Sequence, residues 1–173
     1  MYKFYCLLIG LLLTGVGFSQ NPIDVFEIAR TGTTEQANNA LAGNKQIFNV
    51  TNEHGFTPLI LACYRGNDDV AKVLINNGSD INKNSPMGTA LMAAAVKGNN
   101  DIIKILLANG ANPDLADNNG TTALMYAVQF RNKELVQMLL EAKADKRKVD
   151  GKGRTAFEHA VFGGQDDIIN LLK

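Results

Sequence analysis

A chain of 173 residues, 46% hydrophobic and 20% charged, is long enough to bury a core within one soluble domain. Its 17 basic and 17 acidic residues cancel, which excludes any global pull toward nucleic acid or an anionic membrane surface. The sequence carries no Gly-rich phosphate loop, no paired metal-ligand spacing and no nucleophile elbow, so catalytic and cofactor-dependent classes have no foothold in it.

The amino terminus differs in character from the rest. Lys3 supplies a positive start, Cys6 to Val16 is an apolar core, and Gly17-Phe18-Ser19 places small residues before Gln20. This is the pattern of a secretory signal over residues 1–19, with a periplasmic or secreted destination. The apolar run from Phe4 to Phe18 is shorter than the ~20 residues that span a bilayer. Cleavage removes Cys6 and leaves Cys63 as the sole thiol, so no intramolecular disulfide is available.

From Asn21 to Asn52 the spacing predicts two short helices. Asp24 to Arg30 offers Val25, Phe26 and Ala29 to a core and ends at Gly32; Thr34-Glu35 opens the second, which carries Ala37, Ala40 and Leu41. A better-formed unit follows. Thr57 is placed to cap a helix, Pro58 sits at its first position, and Leu59, Ala62 and Cys63 make a narrow apolar face. Gly66 ends it in a left-handed conformation. Asp68-Asp69 opens a second helix at its positive end, with Val70, Val73 and Leu74 as the expected buried stripe before Gly78.

That unit returns. Thr57, Thr89, Thr122 and Thr155 stand 32, 33 and 33 residues apart, and a fixed period of this size marks a stacked repeat. The second copy departs at Ser85-Pro86-Met87-Gly88-Thr89, where one residue is missing between glycine and threonine, so its turn should be shorter and stiffer. Its second helix is expected to bury Ile102, Ile105, Leu106 and Leu107. In the third copy Arg131 replaces the glycine found at positions 66, 98 and 164, and Lys143 replaces that at 78 and 110. A left-handed backbone there costs each side chain roughly 1 kcal/mol against glycine. Drift accounts for Lys143; for Arg131 drift and a retained function are equally open. The fourth copy ends at Lys173 on the stripe Ile168, Ile169, Leu171 and Leu172.

The motif G-x-T-P-L, then Ala62, then Gly66-Asn67, then V-x-x-L-I-x-x-G resembles the ankyrin repeat, a β-turn followed by two helices. The resemblance covers about residues 22–173 and implies an all-α solenoid of helix–turn–helix hairpins linked by β-turn fingers. The expected layout is a domain over 20–173, with repeats at about 21–51 (a polar, cap-like first repeat), 52–84, 85–116, 117–149 and 150–173.

For function, the resemblance implies a non-catalytic scaffold that binds another protein, acts as a monomer and uses no cofactor or metal. An immunity or inhibitor protein against a secreted toxin or enzyme, and an accessory factor for a periplasmic peroxide-detoxifying enzyme, are the alternatives. Partners of the family meet the turn tips and the exposed end of the first helix. On this chain those positions include His54, Phe56, Tyr64, Arg65, Lys97, Gln129, Phe130, Lys152, Arg154 and Phe162, with Pro86 and Met87 in the shortened turn. Phe56, Tyr64, Phe130 and Phe162 need no core role and recur at equivalent repeat positions, which favours binding over scattered apolar surface. Arg147 and Lys148 belong to a basic run from Lys143 to Arg154, suited to an acidic partner surface or simply to a solvated turn. His159 reads as a half-buried structural residue and Cys63 as packing; the acidic pairs at 68–69 and 166–167 read as helix caps.

Overall fold

The computed structural model describes residues 23–173. The signal expected over 1–19, with Cys6 and the cleavage point before Gln20, lies outside the described residues. Among the described residues ten helices form five successive pairs: α1 (Val25–Thr31) with α2 (Thr34–Gly43), α3 (Pro58–Arg65) with α4 (Asp68–Asn76), α5 (Ala90–Lys97) with α6 (Asn100–Ala108), α7 (Ala123–Gln129) with α8 (Lys133–Glu141), and α9 (Ala156–Phe162) with α10 (Asp166–Leu172). No strand occurs among the described residues. The chain is an all-α solenoid.

The threonine repeat is a capping repeat. The hydroxyls of Thr57, Thr89, Thr122 and Thr155 accept the backbone N–H groups of Ile60, Met92, Met125 and Glu158 at 3.2, 3.4, 3.4 and 3.2 Å. Each satisfies a donor that the first helical turn cannot pair internally. Asn99 and Asn132 do the same for α6 and α8, accepting from Ile102 and Leu135. Asn67 departs from them: its amide instead donates to the carbonyl of Gly32 at 3.0 Å and ties the second pair to the first.

First helices stack on first helices, α1 on α3, α3 on α5, α5 on α7 and α7 on α9; the second helices form a parallel stack behind them. Alanines at 62, 94, 127 and 160 are fully buried, and their small side chains let adjacent first helices approach. Leu59, Leu74, Leu91, Met92, Ile102, Ile103, Leu106, Leu124 and Leu139 fill the space between the stacks. On the second helices Val70, Leu74, Ile102 and Leu106 are buried as expected, but the edges of the stripe lie elsewhere. Val73, Ile105 and Leu107 are only partly buried, while Ala71, Ile75 and Ile103 are buried. Each second helix faces both its own first helix and its neighbours in the second stack, so its apolar arc is wide and rotated toward those neighbours. At the carboxy-terminal end Ile168 and Leu172 are buried, and Ile169 and Leu171 only partly so.

Both misfit residues occupy left-handed backbone: Arg131 has φ 56° and Lys143 φ 65°, beside φ 76° at Gly66 and 85° at Gly110. Arg131 has a compensating contact. Its Nη2 donates to the carbonyl of Gly163 in the following repeat at 2.9 Å. Among the described residues the Lys143 side chain forms no hydrogen bond or ion pair. Cys63 is 1% exposed, and burial pushes its thiol up to about 12, which leaves it protonated and inert.

Candidate binding surface

The turns before α3, α7 and α9 are each built by one acidic or amide side chain. Asn52 Oδ1 accepts the N–H groups of His54 and Phe56, both at 3.0 Å. Asp117 Oδ1 does so for Asn119 and Thr121 at 2.8 and 2.9 Å, and Asp150 Oδ1 for Lys152 and Arg154 at 2.8 and 2.9 Å. Such self-bonding turns suit Asn and Asp because the short side chain mimics a backbone carbonyl. Backbone bonds close these fingers from Asn52 to Phe56, Asp117 to Thr121 and Asp150 to Arg154. The second finger is shorter, as the missing residue implies: Ser85 N–H bonds Gly88 O at 3.1 Å. Gly88 has φ 99°, and a Cβ there would collide with the Met92 sulfur, so glycine is required twice over.

Adjacent fingers are joined through their backbones. Asn118 N–H donates to Pro86 O at 3.1 Å and Gly151 N–H to Asn119 O at 2.6 Å. Pro86 itself has no N–H, so it cannot continue the ladder toward the first finger. An apolar cleft lined by His54, Phe56, Pro86 and Met87 opens there.

A second set of bonds, absent from the sequence reading, ties fingers to helices. The Tyr126 hydroxyl donates to Asp117 Oδ2 at 2.8 Å. In the next repeat His159 Nε2 lies 2.9 Å from Asp150 Oδ2, which also accepts the Arg154 guanidinium at 3.0 Å. The signal was present: an aspartate opening the finger and a polar ring nine residues later, in both repeats. The backbone N–H of Arg154, the N–H of Lys152 and the Arg154 and His159 side chains together hold the Asp150 carboxyl well below the usual carboxylate range, against the opposing effect of burial. Burial, aided by Asp117, pushes the Tyr126 hydroxyl up to about 12.

Not all the residues picked from the sequence stand free. Phe56 is partly buried and packs on the core, edge-on to His54 with ring centroids 6.5 Å apart. Its reading as a ring with no core role is therefore corrected. The other aromatics are open to solvent: Tyr64 is 46% exposed, Phe130 53% and Phe162 77%. They are not all equivalent, however. Tyr64 shares its repeat position with Val96, Gln129 and Phe162, whereas Phe130 falls one residue later, with Arg65 and Lys97. Phe130 follows the last residue of α7 and stacks on Tyr126 at 6.4 Å and 16°.

The charged residues divide into separate neighbourhoods. Lys152, Arg154 and Gln129 line one groove together with Asn118 and Asn119. Arg147 turns away into an ion pair with Asp145 at 2.9 Å, on a loop whose Asp145 N–H bonds Asp114 of the preceding repeat at 2.7 Å. Lys148 lies exposed on the same loop. Lys97 borders a polar depression that it shares with Lys104 and with the carboxylates of Asp68, Asp101 and Glu134. Arg65 is exposed at the end of α3, and His54 is exposed on its finger, 3.4 Å from Glu53. Among the described residues no group of three metal-ligating side chains converges.

Repeat length, paired helices, capped starts and stacked fingers together define a helical-repeat interaction module. A family model for ankyrin repeats, written as three copies, matches residues 25–117 and again 91–173. The chain belongs to the ankyrin-repeat family, whose repeats serve as protein–protein interaction modules and are typically non-catalytic.

Proposed function

We propose that this protein is a non-catalytic scaffold acting in the periplasm or outside the cell, and that it engages a partner through the exposed ends of its first helices. The observation that carries the reading is the solvent exposure of Tyr64, Phe130 and Phe162. Large rings held in place by a rigid helix stack cost little entropy to bury, and aromatics supply much of the energy of protein interfaces. Export is supported by Lys3, the apolar run to Val16 and the small residues before Gln20.

Two measurements test the two parts. Intact mass of the protein recovered from the periplasm or medium should correspond to a chain beginning at Gln20; a full-length chain in the cytosol contradicts export. Affinity capture from periplasmic extract should recover a defined protein with the parent chain and lose it with Phe130→Ala plus Phe162→Ala. Recovery of a toxin would narrow the role to immunity, and recovery of a peroxide-detoxifying enzyme to an accessory function. Equal recovery by parent and variant contradicts the proposed surface.

A further inference from the structure

The Asp150 carboxylate has no capacity left. Its Oδ1 accepts the N–H groups of Lys152 and Arg154, and its Oδ2 takes Arg154 and His159 at 3.0 and 2.9 Å. Lys152 is exposed on the same finger, and among the described residues no carboxylate forms an ion pair with it. Its positive charge therefore faces the groove uncompensated.

Besides Lys152, the Asp150–Arg154 pair and Thr121, the groove is lined by amides. Asn118, Asn119 and Gln129 are exposed, and none has a side-chain hydrogen bond among the described residues. Each offers one acceptor and two donors, the complement of an extended peptide backbone. Phe130 follows Gln129 in sequence, Phe162 holds the repeat position of Gln129 on the following first helix, and both rings are exposed.

We propose that the groove between the third and fourth fingers, formed by Lys152 with Asn118, Asn119 and Gln129, binds an extended acidic segment of a partner protein. A carboxylate of the segment meets Lys152, its backbone meets the amides, and an apolar side chain next to the carboxylate packs on Phe130 or Phe162. A single-stranded nucleic acid also combines negative charge with stacking. One free lysine and one arginine already committed to Asp150 provide too few phosphate contacts for that, and free amides match a peptide backbone better. The inference rests on the protein-scaffold reading and adds the chemistry of the partner.

Display selection of random decapeptides against the purified protein tests it, followed by fluorescence polarisation with the enriched peptides. Enriched sequences should be rich in Asp and Glu beside an aromatic or aliphatic residue. Lys152→Glu should weaken their binding by about tenfold or more, with the loss shrinking as salt rises, because charge pairs at an exposed groove are screened. Lys45→Glu, an equal charge change on an exposed loop outside the groove, should alter binding less than about twofold. Neutral or basic enriched peptides, or acidic ones indifferent to Lys152→Glu, overturn the acidic-partner inference; if Phe130→Ala still abolishes their binding, the scaffold reading survives. No enrichment overturns the inference, and capture from extract then judges the scaffold reading separately. Binding of an unrelated 20-nucleotide single strand or of anionic lipid vesicles, lost with Lys152→Glu, would assign the groove to another class of ligand.

Discussion

Arg131 and Lys143 share a left-handed backbone but differ in what their side chains do. Relief of strain should make Lys143→Gly more stable than the parent by roughly 1 kcal/mol. Arg131→Gly gains the same relief but loses the bond to Gly163, worth about 0.5–1.5 kcal/mol, so it should be close to neutral. Urea denaturation of the two variants gives the comparison, and equal stabilisation would mean that the Arg131 bond contributes nothing. Asp150 makes a second residue-scale claim. Its folded-state carboxyl titrates below its ordinary value, so its contribution to stability is complete above the unfolded pKa of about 4 and fades as pH falls below that. Asp150→Asn should therefore lower Tm at pH 7, and the gap to the parent should narrow as pH drops toward 3. A gap independent of pH would contradict the electrostatic account.

At the scale of the helix pair, stability comes from burial between repeats. Leu106 is fully buried between the stacks, so Leu106→Ala should cost about 2–5 kcal/mol through lost burial and a residual cavity. The short second finger makes a sharper comparison. Gly88→Ala meets both a forbidden backbone and the Met92 sulfur, while Gly98→Ala, at φ 68° with open space around it, meets only the backbone strain. The first should be clearly the more destabilising in thermal unfolding; parity would mean that Met92 yields at no cost. These elements also mark what was legible in the sequence. Thr57, Gly66 and their returns announce caps and stops because capping is local chemistry, readable within a few residues. The burial of Ile103 in place of Ile105 was not legible, since which side of a second helix is covered depends on neighbours about 33 residues away. Phe56 was misread for the same reason: a finger residue packs or protrudes according to how the finger leans on the helices. The Asp117–Tyr126 and Asp150–His159 bonds join residues nine apart, and only the turn geometry brings them together.

For the whole molecule, the division of charge refines what zero net charge means. Carboxylates gather at the starts of the second helices, at Asp68, Asp69, Asp101, Glu134, Asp166 and Asp167, where they complement the helix dipoles. The groove of the third and fourth fingers keeps Lys152 free, and Phe130 and Phe162 are exposed at the ends of their first helices. The most direct measurement is surface plasmon resonance between the captured partner and the Phe130→Ala plus Phe162→Ala variant. Both rings are exposed, so the variant should melt within a few degrees of the parent. Its affinity should fall at least about tenfold, since removing a central interface aromatic costs roughly 2 kcal/mol or more. A variant that stays folded and binds the partner with parental affinity would contradict the account and move the interface elsewhere, with the cleft at His54 and Met87 the next surface to test.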